Sequence, residues 1–540
     1  MKLLHPLPRP AARLLSASIL VLWALQMGVL ARRTWSSSPV ALAADLALYG
    51  SSAQWRGIYY RGDKIGFSVG QTTPTESGYE IREDGRMQMI LLGSDVSVRL
   101  SSRATVDRAF NLQSFSFSLD PGTGATEVRG VLDGRRLALT IRTPSGERRE
   151  TRELVEPPAL SLNLARTLAA RGLETGKTVE VSVFDPATLR NAPMTLEIQA
   201  REVVRAAGRP LPAFRVEGRF AGITTRTWIT DVGEVVREES PTGLLVVRET
   251  KEQAQTLAVP GAIQTDLLEA AAIVPTTPRR IDDATTVARL RLRIDGLSGL
   301  DPTDLEGAGQ TAVSGTIEVV DARGLQPGPA PADLSRFLQP EPLLESDAPE
   351  IRAEAEKGVA GASSPRLRAE RLVRHVNAIL EKKPTVSLPS ALEVLKTRIG
   401  DCNEHTALYV AMARSIGLPA RVVVGLVHLR GAFYYHAWPE VWVEEGRGGG
   451  MWLPVDPTLN QFPADATHVR LARGGLDRQA AILGLVGRAK VDILDVELRP
   501  GANPVLVGRA ASDLRPLDIS LPRRDGSGRG CWSSPARSGR

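Results

Sequence analysis

One stretch in the C-terminal half of the chain is more informative than any other: residues 398–405 read RIGDCNEH. A glycine and an aspartate precede Cys402, and residues 403–415 have the composition of a helix. Cys402 is therefore predicted at the first turn of a helix, with Asp401 as the N-cap. Free backbone N–H groups at such a position stabilise anions, so we expect a lowered pKa for the thiol and a site for an oxyanion. Gly400 is expected to let the backbone come close to a substrate.

Two later stretches carry an imidazole and a carboxylate at matching spacing. They read YYHAWPEVWV at 434–443 and MWLPVDPT at 451–458. His436 lies 34 residues after Cys402, and Asp456 lies 20 residues after His436. Both stretches have the composition of strands with a glycine-rich turn between them, so antiparallel pairing would bring His436 and Asp456 together. A thiol, an imidazole that takes its proton and a carboxylate that orients the imidazole form a nucleophilic triad.

Taken together, these motifs resemble the bacterial transglutaminase-like superfamily, whose members have a papain-like cysteine acyl-transfer fold. The resemblance covers about residues 348–473 and rests on the GDC, HAW-x-EVWV and VDPT motifs. It implies an α+β core with helices packed on an antiparallel sheet. It also implies Cys402 as nucleophile, His436 as general base and acid, and Asp456 as the orienting carboxylate. In one respect the chain departs from animal transglutaminases: no tryptophan lies between residue 348 and Cys402, so their side-chain oxyanion donor has no counterpart.

Other polar and aromatic side chains lie close to these motifs in the sequence. Trp438, Tyr435 and His405 are predicted to contact the substrate, with simple packing as the alternative for each. His468 falls in a polar stretch and receives no role. We predict no cofactor and no metal, although four side chains could be drawn as a metal site: Cys402, His405, His428 and His436.

The first half of the chain has a different pattern of apolar and turn-forming residues. Short apolar or alternating runs separated by turn signals predict many strands, and a helical pattern interrupts them at 160–171. We therefore predict a multidomain α+β protein in which an antiparallel β-rich domain, curled around that helix, precedes the transglutaminase-like core. The predicted units are a signal anchor or signal peptide at 1–33, a β-rich domain at 50–255, a β/linker segment at 280–345, a catalytic domain at 346–475, a C-terminal extension at 476–522 and a disordered tail at 523–540.

The N-terminal sequence predicts a location outside the cytoplasm. Residues 14–31 carry no charge and are flanked by arginines; as a helix they would span about 27 Å, close to the width of a bilayer core. We favour an uncleaved signal anchor in the cytoplasmic membrane, and a cleaved signal peptide remains the alternative. In either case the catalytic domain would be periplasmic or extracellular.

Bulk composition excludes several classes of protein. The formal net charge is +6, but no compact Lys/Arg cluster is interleaved with aromatic residues, so no nucleic-acid partner is predicted. Two cysteines, Cys402 and Cys531, exclude a disulfide-stapled scaffold. The predicted activity is acyl transfer on peptide or protein amides, by hydrolysis or transamidation. A non-catalytic peptide-binding or scaffold protein with the same fold is the alternative.

Overall fold

The computed structural model describes residues 49–501, except 123, 221, 257–264, 278, 298, 446–448, 476–477, 479–481 and 483. The predicted anchor helix, the tail and Cys531 lie outside this range. Within the described part of the chain, no helix is long and apolar enough to cross a membrane. The membrane anchor and the location of the protein therefore stay predictions.

The N-terminal half forms one antiparallel sheet of 14 strands, in the order β8 to β1 followed by β14 to β9. Two meanders thus share one sheet because β1 pairs with β14, with Trp55 opposite Glu249. The strands are β1 Gln54–Tyr60, β2 Asp63–Pro74, β3 Gly78–Leu91, β4 Ser94–Asp107, β5 Leu112–Asp120, β6 Thr126–Asp133, β7 Arg136–Thr143, β8 Gly146–Glu153, β9 Thr178–Asp185, β10 Arg190–Ala206, β11 Arg209–Phe220, β12 Ile223–Ile229, β13 Val235–Glu239 and β14 Leu244–Glu249.

Alternation of apolar and polar residues explains how these strands pack. In β5, Phe115, Phe117 and Leu119 are buried, while the serines between them face the other side of the sheet. Helix α1 (Ser161–Ala170) contacts strands β3 and β4 in one meander and β9 in the other. The predicted antiparallel β region with a single helix between its two groups of strands is therefore present. Two short helices, α2 (Lys251–Gln255) and α3 (Leu267–Ala271), follow the sheet.

A second sheet joins segments that lie far apart in the sequence. Its order is β16-β17-β15-β25, with β15 Val287–Ile294, β16 Gln310–Val313, β17 Thr316–Val320 and β25 Val491–Leu498. The sequence placed β15 and β25 in separate units, a linker segment and a C-terminal extension, yet they pair directly, with Leu290 opposite Val496. Short 3-10 helices occur at Ala284–Thr286, Pro302–Leu305, Ala322–Gly324 and Leu334–Leu338.

The core of the predicted catalytic domain combines four helices with a five-stranded antiparallel sheet in the order β18-β23-β22-β21-β24. Its elements are β18 Gly328–Pro329, α4 Pro349–Gly358, α5 Pro365–Ile379, β19 Glu381–Lys382, α6 Ala391–Thr397, β20 Ile399–Gly400, α7 Cys402–Ser415, β21 Ala420–Leu429, β22 Ala432–Glu444, β23 Gly449–Pro454 and β24 Val469–Arg473. Helices α4, α5 and α6 surround α7, which also packs on β21 and β22. Every residue of α7 from Glu404 to Ser415 is buried.

The sheets and the core share apolar contacts. Leu292 of the second sheet lies in one cluster with Val424 and Leu471 of the core sheet. Leu343 and Leu388, from loops of the core region, are buried among side chains of the 14-stranded sheet. The first turn of α7 is therefore enclosed by several elements and not by its own helices alone.

Candidate active site

Helix α7 begins at Cys402, as the sequence predicts. The Asp401 carboxylate accepts a hydrogen bond from the Asn403 amide at 3.0 Å, and the Glu404 carboxylate accepts one from the Asp401 amide at 2.9 Å. This reciprocal capping box satisfies two amides of the first turn and fixes where the helix starts. The predicted N-cap is correct.

Gly400 has a different role from the one expected. A Cβ atom at this position would lie 2.2 Å from the Cβ of Glu404. The glycine therefore makes room for the Glu404 side chain to fold back over the helix start, and not for a substrate. Burial, followed by the nearby Glu404 carboxylate, raises the pKa of Asp401 well above its usual range.

The thiol of Cys402 is partly buried against the apolar cluster that contains Val424 and Ala437. The backbone N–H of Ala437, the residue after His436, is the nearby group that favours the thiolate form of the sulfur. Burial, followed by the negative charge of Asp401, raises the pKa of the Cys402 thiol well above its usual range, and the Ala437 amide only partly offsets this. This direction is opposite to the lowering expected from the helix N-terminus, because desolvation of the thiolate and the charge of Asp401 both favour the protonated thiol.

His436 and Asp456 lie together as the hairpin spacing predicts. The Nε2 atom of His436 donates to Oδ2 of Asp456 at 2.8 Å, and both side chains are buried. His436 is on β22, and Asp456 follows the end of β23, the strand paired with β22. Because Nε2 is engaged by the Asp456 carboxylate, Nδ1 is the other ring atom of His436 that can carry or accept a proton.

A second imidazole contacts the same carboxylate oxygen. The Nε2 atom of His468 lies 3.0 Å from Oδ2 of Asp456, and the backbone amides of Thr458 and Leu459 donate to Oδ1 at 2.7 and 2.9 Å. Sequence reasoning missed His468 because it placed this residue in a polar loop. The available signal was that His468 directly precedes the apolar run of β24.

The charged side chains of this cluster shift one another's pKa values. Although burial would raise the pKa of Asp456, the two imidazoles hold it well below its usual range. Burial would lower the pKa of His468, but the Asp465 carboxylate and hydrogen bonds to Asp456 and Asp465 raise it to about 10. The pKa of Asp465 is likewise lowered, against its burial, by the charge of His468. His468 is thus an imidazolium between two carboxylates at neutral pH.

One set of side chains in the described part of the chain is spaced closely enough to hold a metal ion. The ligating atoms of His436, Asp456 and His468 lie within 4.8 Å of one another. Direct hydrogen bonds account for this spacing, since both Nε2 atoms point at one oxygen. The set considered from the sequence is not among such groups in the residues described; it consisted of Cys402, His405, His428 and His436.

The three predicted substrate contacts differ in their exposure. Trp438 and His405 are 1% and 0% exposed, so neither presents a surface to a substrate in this structure. Trp438 packs beside the His436 ring at 6.0 Å between centroids, and His405 donates through Nδ1 to the carbonyl of Asp401 at 2.7 Å. Tyr435 is partly buried and borders the same apolar cluster as Cys402. Of the three, it alone keeps an exposed part.

The comparison with known families bears on this site. Residues 352–457 match the family model of the transglutaminase-like superfamily. This confirms the resemblance inferred from the motifs, and the match contains Cys402, His436 and Asp456. The chain therefore carries a transglutaminase-like core.

Individual proteins and solved structures are also similar to parts of this chain. Uncharacterized proteins of Mycobacterium tuberculosis (strain H37Rv) and Mycobacterium bovis are 28% identical over 167 residues, which is 28% of this chain and 53% of theirs. The chain thus spans about half the length of the curated relatives it matches. Two solved structures are similar at low identity. "A Putative Cysteine Protease from Cytophaga hutchinsonii" is 18% identical, with a TM-score of 0.26 and coverage of 43% of this chain and 88% of that one. "A putative protease from Parabacteroides distasonis" is 12% identical, with a TM-score of 0.19 and 64% coverage of both chains.

Proposed function

We propose that this protein catalyses cysteine-dependent acyl transfer on amide bonds of peptides or proteins through a thioester. The observation that carries the proposal is the placement of Cys402 at the start of α7, beside the backbone of β22 that also holds the Asp456-bound His436. A thiol, a base and an orienting carboxylate in this order are the parts that acyl transfer requires.

The raised pKa of Cys402 decides how the thiol is activated. Since desolvation and the charge of Asp401 favour the protonated thiol, His436 acts as a general base during the attack. Sγ bonds to the amide carbonyl carbon while the thiol proton passes to Nδ1 of His436. Backbone N–H groups at the start of α7 stabilise the developing oxyanion.

The same histidine completes the reaction. The His436 imidazolium returns its proton to the amine as the C–N bond breaks, which leaves a thioester on Cys402. Water attacks the thioester in a hydrolase and a primary amine attacks it in a transamidase, and in both cases the thiol is restored. A triad of this kind supports either outcome, because the acceptor is selected by the surrounding loops.

An activated ester tests the central step without knowledge of the natural substrate. The full chain is mixed with p-nitrophenyl acetate, nitrophenol release is followed, and the acetylated residue is mapped by peptide mass spectrometry. We expect acetylation of Cys402, strong slowing in His436→Ala and no acetylation at this position in Cys402→Ala. Equal rates in the wild type and His436→Ala would favour the alternative, a non-catalytic peptide-binding protein.

The acceptor and the location need separate experiments. Adding a primary amine to the acetyl-enzyme and measuring acetate against acetylated amine distinguishes hydrolysis from transamidation. The uncharged run at residues 14–31 supports a membrane-anchored protein whose catalytic region lies outside the cytoplasm. Digestion of the catalytic region by protease added to intact spheroplasts supports that location, and complete protection there contradicts it.

A further inference from the structure

The proposed mechanism uses one imidazole bound to the Asp456 carboxylate, but two imidazoles contact this carboxylate. The Oδ2 atom of Asp456 lies 2.8 Å from Nε2 of His436 and 3.0 Å from Nε2 of His468. The match to the family model ends at residue 457, so His468 lies beyond it. No step of the acyl-transfer mechanism accounts for this second ring.

His468 is held at both nitrogens. Its side chain is 1% exposed, and Nδ1 faces the carbonyl of Asp465 at 3.2 Å and Oδ1 of Asp465 at 3.3 Å. Asp465 is itself fixed by the hydroxyl of Thr467 at 2.6 Å and the side-chain amide of Gln461 at 2.8 Å. Because each ring nitrogen faces an acceptor, the ring donates twice and carries a positive charge.

Aromatic packing fixes the two imidazoles relative to each other. Trp438 packs against His436 with centroids 6.0 Å apart and against the edge of His468 with centroids 5.2 Å apart. The two imidazole rings are 5.9 Å apart. A movement of His468 would therefore disturb both the carboxylate and the indole that border His436.

We propose that His468 is a positioning residue for the reaction at Cys402: it holds Oδ2 of Asp456 opposite His436 and thereby fixes the orientation of the His436 ring. This inference rests on the proposed function. His468 does not touch the thiol or the substrate carbonyl in this account, and it acts only through Asp456 and Trp438.

The charged groups around His468 indicate how loss of its imidazole would change the electrostatics of the triad. Asp456 and Asp465 contact the ring directly, and His436 faces it across Asp456. Glu440 and Arg470 line the same small cavity and are paired with each other at 2.5 Å, while Arg421 also binds Glu440. Without His468, the triad would lose a neighbouring positive charge, and its removal would make deprotonation of the thiol harder.

The test uses the acetylation rate of Cys402 as a function of pH in the full chain. His468→Gln keeps an N–H donor but removes the charge, and we expect a rate about tenfold to a hundredfold lower at pH 7. The acid limb of the pH–rate profile should move upward by about one pH unit. His375→Gln is the matched control, since His375 contacts the Glu354 carboxylate at 2.8 Å on helices α5 and α4 and should change the rate by less than about twofold.

Asp465→Asn keeps the His468 ring and removes only its outer carboxylate, so it serves if His468→Gln does not fold. Since it removes a negative charge while His468 keeps its positive one, it should move the limb in the opposite direction by a smaller amount. An unchanged profile in a folded His468→Gln or Asp465→Asn protein would overturn the inference. Stoichiometric zinc in the purified wild type that is lost in His468→Gln would also overturn it, because the ring would then be a metal ligand.

The two proposals fail in different ways. If the proposed function is wrong, wild-type Cys402 is acetylated no faster than in His436→Ala. If only the role of His468 is wrong, the wild type depends on His436 while the His468 variants keep the wild-type rate and profile.

Discussion

The hydroxyl of Ser387 donates a hydrogen bond to the buried Glu404 carboxylate at 2.5 Å, and this contact links a loop between two helices to the first turn of the nucleophile helix. The next residue, Leu388, is buried in the core of the 14-stranded sheet. Glu404 in turn accepts from the Asp401 amide, one residue before Cys402. The N-terminal sheet is thus connected to the residue before Cys402 through three successive contacts.

Loss of the Ser387 contact should therefore affect the reactivity of the Cys402 thiol. Ser387→Ala removes a donor from a buried carboxylate, and we expect unfolding to become easier by about 1–3 kcal/mol. The acetylation rate of Cys402 should fall as well. Thr385→Val is the matched control, because Thr385 contacts the same carboxylate at a longer 3.3 Å and should have a smaller effect. Unfolding and acetylation of Ser387→Ala that equal those of the wild type would mean that the loop does not support the helix.

Gly400 tests the packing at the start of α7. A methyl group there would meet Cβ of Glu404 at 2.2 Å, so Gly400→Ala must displace the capping side chain. Overpacking of this kind costs about 1–3 kcal/mol. Thermal unfolding and acetylation should both be impaired. Gly324→Ala is the control, since a Cβ at Gly324 meets nothing within 4 Å; an equal loss in both variants would contradict the steric explanation.

Glu440 predicts a pH dependence of stability. The carboxylate is fully buried, and although burial would raise its pKa, Arg470, Arg421 and Arg473 lower it to about 2. The folded-state pKa is below the ordinary value, so the stabilisation is present above about pH 4.5 and is lost as the pH falls toward 2.

Replacement of this carboxylate should be costly at neutral pH. Glu440→Gln leaves buried arginines without their counter-charge, and we expect a loss of about 3–5 kcal/mol at pH 7 in chemical unfolding. The difference from the wild type should shrink at pH 3. Glu318→Gln, at a half-exposed carboxylate near Arg291, should cost about 1 kcal/mol or less. A difference that stays constant between pH 7 and pH 3 would contradict the account.

Asp456 should have a strong effect on the rate. Asp456→Asn keeps the shape of the side chain but offers a weaker acceptor to His436, so the ring loses its fixed tautomer. We expect acetylation of Cys402 to slow by a factor on the order of 100 or more. Nitrophenol release at pH 7 measures this; a rate within about twofold of the wild type would remove Asp456 from the mechanism.

The sequence predicted those parts of the site that depend on short-range structure. Cys402 is at a helix start because glycine and aspartate precede it, and His436 meets Asp456 because a hairpin brings paired strands together. Contacts made over long distances in the chain could not be predicted in this way. His468 reaches Asp456 only because residues 457–468 fold back, with Asp465 held by Gln461 and Thr467.

Burial was also difficult to predict. His405 and Trp438 were expected in contact with a substrate, but both side chains are buried. The pairing of β15 with β25, which joins residues about 200 positions apart, likewise lies beyond what local patterns indicate. For the same reason the raised pKa of Cys402 was missed, since a desolvation cost depends on neighbours that the local motif does not contain.

The most direct test of the central claim is the rate at which p-nitrophenyl acetate acetylates Cys402 at pH 7 in the wild type and in His436→Ala. If His436 is the base that deprotonates the buried thiol, the wild type should react at least about 100-fold faster, within the range that general-base assistance provides. Equal rates in the two folded proteins would contradict a catalytic triad at Cys402.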